Sequence, residues 1–184
     1  MSVDESNFTP AQPLAAACAE PMSALIDQIV ASHHAFLRAR LPEVDRAAAD
    51  IVAFGADEPL LVEVRQLVVG LRACIEQQLD REEQQLFPML RRLEQQTHVS
   101  RCHAGMINSR IMMAERDLAR IRGVIARLAD LAVQHRSPDA GGCEACHDLL
   151  RIAGEIAADL REHTRKESDV LFPWAAAREA ALVK

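Results

Sequence analysis

The residues best suited to chemistry lie in two matching segments. One reads Gln78-Leu79-Asp80-Arg81-Glu82-Glu83-Gln84-Gln85-Leu86-Phe87-Pro88, the other His163-Thr164-Arg165-Lys166-Glu167-Ser168-Asp169-Val170-Leu171-Phe172-Pro173. Glu82 and Glu167 are 85 residues apart, and so are Pro88 and Pro173. Each copy places Glu four residues after its first position and starts Leu-Phe-Pro four residues after that Glu. On a helix, side chains four apart share one face, so His163 and Glu167 can point together into a bundle. Carboxylates and imidazoles on facing helices are how bundles build metal sites. A single His–Glu pair at this spacing is commonly a surface hydrogen bond or weak ion pair. Two copies at a constant offset, each ending in the same tripeptide, point to a site. The first copy differs from the second at its first position, where Gln78 stands in place of a histidine.

Other residues are weaker candidates. His34 lies 44 residues before Gln78, and Arg116 lies 47 before His163, with Arg38 and Arg40 echoed by Arg120 and Arg122. This fainter match offers His34 and Arg116 to the bundle interior. His33 adjoins His34 but points about 100° away around an α-helix, so it is expected at the surface or behind the site. His98 and His103 fall in a connection and are expected to be solvated. Met106, Met112 and Met113 at helical spacing are expected to be core. Cys143-Glu144-Ala145-Cys146-His147 matches the short pattern for covalent haem attachment, but no export signal accompanies it, which argues against haem. A thiol pair near a helix N-terminus, where the thiolate is favoured, is a minority redox reading for Cys143 and Cys146. A zinc knot joining Cys102 and His103 to that pair is disfavoured, because ~30 helical residues span on the order of 45 Å. Cys18 and Cys74 are expected to be a tail thiol and a buried apolar residue.

The elements that must position these groups are helices. The chain has 184 residues, 49% of them hydrophobic, with five Phe, one Trp and no Tyr. Ala, Leu, Arg, Glu and Gln dominate, and such residues lose little freedom in a helix. Residues 1–20 read as a tail, and 21–184 as one bundle. A first helix starts near Pro21, with apolar positions Leu25, Ile26, Ile29, Val30, Phe36 and Leu37, and Pro42 is expected to kink or end its first half. Val44 to Phe54 continues it. A turn follows at 55–59, then a second helix from about Leu60 to Glu94, a connection from Gln95 to Gly105, and a third helix from about Met106 to His135. Arg136-Ser137-Pro138-Asp139-Ala140-Gly141-Gly142 is the clearest loop. The fourth helix runs from near Cys143 to about Glu179. Short links between long helices imply an all-α, antiparallel up-down-up-down four-helix bundle. The net charge of −6 gives no basic footprint for nucleic acid. No apolar run is long enough to span a membrane, and residues 1–10 lack a basic signal region. A cytoplasmic protein with reduced cysteines is expected.

With these residues in place, the chain resembles hemerythrin-like (HHE cation-binding) domains. Within that family the likeness is to the repair-of-iron-centres branch, di-iron proteins linked to nitric oxide and oxidative stress. Ile26-Asp27-Gln28-Ile29 through His34 to Leu41-Pro42-Glu43 is similar to the family's first ligand helix. Glu82 to Pro88 resembles the second, Met112-Met113-Ala114-Glu115-Arg116-Asp117 the third, and His163 to Pro173 the fourth, with Glu144-Ala145-Cys146 resembling the opening of that last helix. The likeness covers roughly residues 21–178 and leaves out a small cysteine-bearing N-terminal domain of some members.

The resemblance implies two irons, each with two histidines, bridged by two glutamates. His34, Glu82, His163 and Glu167 match this set as metal residues. Gln78 and Arg116 stand where two further histidines are expected. Gln is a weak neutral ligand, and Arg cannot deprotonate and is none. Two states of the site follow. In one, Arg116 points inward, supplies the positive charge that Glu82 and Glu167 need, and makes a metal-free, non-catalytic regulatory or binding bundle. In the other, a mononuclear or weakly bound metal remains on His34, Glu82, His163 and Glu167, a set suited to iron, manganese or zinc. The implied function is metal handling in nitric oxide or oxidative stress, with nitric oxide or oxygen as a small gas ligand, no nucleic acid or membrane partner, and no protein partner specified.

Overall fold

The computed structural model describes residues 21–53, 59–100, 105–134 and 144–183. The expected tail at 1–20, the loop at 136–142, Cys18, Cys102, His103, Cys143 and the side chain of Cys146 lie outside the described part. Four long helices make up the fold. Helix α1 consists of Met22–Ile29, a π-helical turn at Val30–His34, and Ala35–Ala53. Helix α2 consists of Pro59–Arg81, a π turn at Glu82–Leu86, and Phe87–Gln95. Helix α3 is the uninterrupted Met106–Gln134, and α4 consists of Glu144–Lys166, a π turn at Glu167–Leu171, and Phe172–Leu182. Around the bundle α1 packs on α2 and α4, and α3 packs on the same two. This is the all-α, antiparallel four-helix bundle expected from the sequence.

Each helix turns an apolar stripe inward. On α3 the stripe is Ile107, Ile111, Ala114, Leu118, Ile121, Ile125 and Leu128, all buried, a spacing of three or four that keeps one face toward the core. Met106, Met112 and Met113 fall off that stripe and are exposed, Met112 at 57%. The expectation that they fill the core is therefore corrected. Cys74 is half-buried against the core. Pro42 does not break α1, which continues through it. Pro42 and Arg38, whose carbonyl loses its partner, both face solvent, where water can replace the lost bond. The buried face on either side, Leu37, Leu41 and Val44, holds the helix in register.

The core is divided along the bundle axis. One apolar cluster runs from Leu37 to Ile51, Val64 to Leu79, Leu118 to Leu131 and Leu149 to Leu160. The other joins Met22, Ile26 and Ile29 to Leu86, Phe87, Leu90 and Leu93, to Ile107, Ile111 and Ala114, and to Leu171, Phe172 and Ala175. The layer between them is polar. The far end of the second cluster is tied down by side-chain caps. Glu94 of α2 accepts from the backbone N–H of Met22 at 2.6 Å and of Ser23 at 3.2 Å, at the start of α1. Glu179 of α4 accepts from Gly105 N–H at 3.2 Å. Gly105 has φ 83°, a left-handed conformation that favours glycine. Val99 N–H also donates to the Leu182 carbonyl at 2.9 Å. Among the described residues, no helix is long and apolar enough to cross a membrane.

Candidate metal centre

The polar layer lies where three helices widen into π turns. The turns in α2 and α4 begin at Glu82 and Glu167 and end at Leu86 and Leu171, two residues before Pro88 and Pro173. Proline has no N–H and crowds the carbonyl four residues back, so the turn before it is the natural place for the ladder to widen. No proline follows the turn in α1 at that distance. Ser32 Oγ donates to the Gln28 carbonyl at 2.6 Å, a back-bond that bends helices. Wide turns of this kind are frequent at functional sites.

The sequence-predicted residues meet in this layer. His34, His163 and Glu167 are 0% exposed, Glu82 1% and Gln78 2%. His34 Nε2 lies 3.1 Å from Glu82 Oε2, and His163 Nε2 lies 3.7 Å from the same oxygen and 3.3 Å from Glu167 Oε1. One donor atom from each of His34, Glu82 and His163 falls within a common span of 4.8 Å. Within this layer, His34 Nε2, Glu82 Oε2, His163 Nε2 and both oxygens of Glu167 have no hydrogen-bond partner among the described residues. Buried polar atoms are otherwise nearly always paired. Unpaired lone pairs that converge from three helices are what a cation requires.

Neighbouring groups fix the orientation of these side chains. His34 Nδ1–H donates to Glu83 Oε1 at 2.7 Å, and Arg38 Nη1 donates to the same oxygen at 2.7 Å. A carboxylate on the far nitrogen sets the tautomer so that the near one is free to ligate. The His34 ring also stacks on Phe87, 5.6 Å between centroids. The Gln78 amide nitrogen donates to Glu82 Oε1.

The electrostatics match this geometry. Burial, and then the Glu167 charge, push the Glu82 carboxyl up to about 7 against the lowering pull of the histidines. Burial pushes Glu167 up to about 8. Burial also holds His163 below its ordinary value. For His34 burial acts in the same direction, but the close approach and charge of Glu82, with the hydrogen bond and charge of Glu83, outweigh it and raise the group. Among the described residues, the ion-pair partners of Glu82 and Glu167 are histidines only. Two buried carboxylates without a cation are costly.

One expectation is corrected here, and one that left two places open is resolved. Arg116 does not enter the layer. Its side chain is exposed on the outer face of α3, so it cannot supply the charge between Glu82 and Glu167. The α3 residue that faces the layer is Ala114, two positions earlier and about 200° around the helix. Ala114 lines a cavity of about 20 Å³ with Gln78, Glu82 and Leu86, room for about one water. Of the two places expected for His33, at the surface or behind the site, the structure selects the second. His33 is 7% exposed, and its Nδ1–H donates to Asp159 Oδ1 at 2.7 Å. Its ring lies parallel to that of His163, 5.5 Å between centroids and 4° between planes. In a π turn successive side chains are closer in direction than the usual 100°, so His33 and His34 can both turn inward. Paired His-His inside an apolar stripe, with Asp159 four residues before His163, was the available signal. His98 is exposed as expected, its Nδ1 3.4 Å from the Leu182 carbonyl.

The hemerythrin HHE cation-binding domain family matches residues 25–175. The chain belongs to that family. It is also similar to iron-sulfur cluster repair proteins YtfE of Salmonella paratyphi B, Salmonella newport and Salmonella heidelberg. Each is 29% identical over 162 residues, which cover 88% of this chain and 69% of the relative.

Proposed function

We propose that this hemerythrin-like chain holds one transition-metal ion, iron first, on His34, Glu82, His163 and Glu167, and works in the handling or repair of iron centres under nitric oxide or oxidative stress. The observation that carries the reading is the convergence of unpaired, buried donor atoms from α1, α2 and α4. Two imidazoles with carboxylates suit iron, manganese or zinc. The similarity to iron-sulfur cluster repair proteins favours iron and the repair role.

A mononuclear rather than a di-iron site is supported on the far side of Glu82. There the groups are the Gln78 amide and the methyl of Ala114, and neither is an imidazole. Gln78 instead holds Glu82 Oε1, which leaves Oε2 toward the two histidines. When bound, iron supplies Lewis acidity and one-electron chemistry. The chain's own residues do the rest. Glu83 and Phe87 fix the His34 ring. The apolar clusters on either side keep bulk water out. The cavity beside Gln78 and Ala114 has room for about one water.

The test is metal analysis of protein purified without chelator, then loaded anaerobically with ferrous iron. One iron per chain is expected, and His163→Ala should abolish it. Failure to retain more than a small fraction of an equivalent of any transition metal would overturn the reading.

A further inference from the structure

We infer that His33, held by Asp159, is a positioning residue that fixes the imidazole of His163. The inference rests on the metal reading for its functional meaning, but its geometry stands alone. A ligating histidine usually donates its second ring nitrogen to a carboxylate or carbonyl, which sets tautomer and ring plane. His34 has that support from Glu83. His163 does not: its Nδ1 has no hydrogen-bond partner among the described residues. Its ring instead lies flat against His33, at 5.5 Å and 4°, within the separations at which offset rings attract. On its other side the His34 ring meets it edge-on, 5.1 Å away at 64°. The His163 plane is thus defined by two neighbouring rings from one π turn of α1.

His33 is itself anchored. Its Nδ1–H donates to Asp159 Oδ1 at 2.7 Å, with the two side chains 9% and 17% exposed. Asp159 and His163 are four apart on α4 and share a face. One turn of α4 therefore supplies both the clamped imidazole and the carboxylate that holds its clamp. The charge of Asp159 also reaches His163 directly, opposing the effect of burial on that ring. The consequence is a division of labour within His33-His34. His34 offers a donor atom to the site, and His33 orients the donor offered by the facing helix.

The test uses the full chain with His33→Leu, His33→Phe and Asp159→Asn. The first readout needs no metal: ring 1H–15N correlations of His163 in metal-free protein. The parent and His33→Phe, which keeps a flat ring, should give one sharp set. In His33→Leu that set should shift and broaden. The second readout is cobalt(II), by competition affinity and visible ligand-field bands. His33→Leu should bind roughly 10- to 100-fold more weakly, as loss of an orienting partner typically does, with altered bands. His33→Phe should recover most of the loss, and Asp159→Asn, which can still accept from Nδ1–H, should lie close to the parent. Unchanged His163 ring signals in His33→Leu would overturn the positioning role, whatever the metal result. A parent that binds no cobalt, with His163 ring signals that do respond, would instead overturn the metal reading and leave the clamp standing.

Discussion

The register of α3 can be tested by rebuilding the far side of the site. The family resemblance places the third-helix histidine at Arg116, whereas the α3 side chain that faces the layer is that of Ala114. Two double variants separate them: Gln78→His with Ala114→His, and Gln78→His with Arg116→His. Ala114 is buried beside a cavity of about 20 Å³, too small for an imidazole without displacement. Overpacking of this kind costs about 1–3 kcal/mol. For a chain of this size each kcal/mol shifts Tm by about 2–4 °C, so the metal-free Ala114 variant should melt roughly 2–12 °C lower. Iron bound at 100 times its Kd returns about 2.7 kcal/mol, which cancels most of that loss. Arg116 is exposed, and its replacement should change stability by no more than about 0.5 kcal/mol. The assay is iron per chain after anaerobic loading, paired with melting curves with and without iron. The Ala114 pair should bind a second iron and regain its Tm on loading; the Arg116 pair should stay at the parent's stoichiometry. A second iron in the Arg116 pair but not in the Ala114 pair would refute the register.

Three further outcomes follow from the same layer. Glu167→Gln removes a buried carboxylate that burial pushes up to about 8, so the metal-free variant should melt higher than the parent at pH 8 while losing the Tm rise on adding iron. The metal-stripped chain should lose stability as pH rises from 6.5 to 8. Glu82 and Glu167 are raised to about 7 and about 8, so their contribution is complete below the ordinary carboxyl value and is lost as pH passes through these raised ones. His34, raised as well, acts in the same sense, while His163, held low, costs stability only below its ordinary 6.5. Urea midpoints across that range check the sign, and a midpoint that rises would contradict it. Phe87 is 2% exposed and stacks on His34. Phe87→Ala should cost about 3–5 kcal/mol and weaken iron binding, and Phe87→Leu should recover much of the stability but less of the binding.

The duplicated segments were legible because their chemistry coincides with the helical period. His163 and Glu167, and Gln78 and Glu82, are four apart, and the structure buries all four in one layer. Helix limits were legible from Gly, Pro and the polar links, within a few residues of those observed. Arg116 was expected to point inward because α3 carries no copy of the motif, so a faint spacing echo and the family resemblance stood in for periodicity within the helix. The stripe Ile107, Ile111, Ala114, Leu118 was readable and puts Arg116, Met112 and Met113 outside. Which of its two expected places His33 takes was not legible, for a deeper reason. The rule of 100° per residue holds for an α-helix, and Val30–His34 is not one. Pro88 and Pro173 hint at widened turns in α2 and α4, but nothing comparable in sequence precedes the turn in α1 beyond Ser32.

The π turns bear on what each helix can deliver. Every helix that brings a polar side chain into the buried layer widens there: α1 at His33 and His34, α2 at Glu82, α4 at Glu167. The helix that stays regular, α3, brings Ala114. A regular helix presents an inward residue every three or four positions, and in this bundle the residues before and after the layer must be apolar to fill the two core clusters. Inserting polar groups without displacing an apolar one requires an extra residue in the turn, and a π turn is one extra residue. On α1 the gain is visible directly, since Ile29 and Leu37 both remain buried while two histidines between them face inward. The cost is a weakened hydrogen-bond ladder at three places around one layer, and an ion held between α1, α2 and α4 as proposed would offset it. On this argument iron should protect the backbone amides of Val30–His34, Glu82–Leu86 and Glu167–Leu171 from hydrogen exchange far more than those of α3 at the same depth. Equal protection on all four helices would mean that the wide turns are independent of the ion.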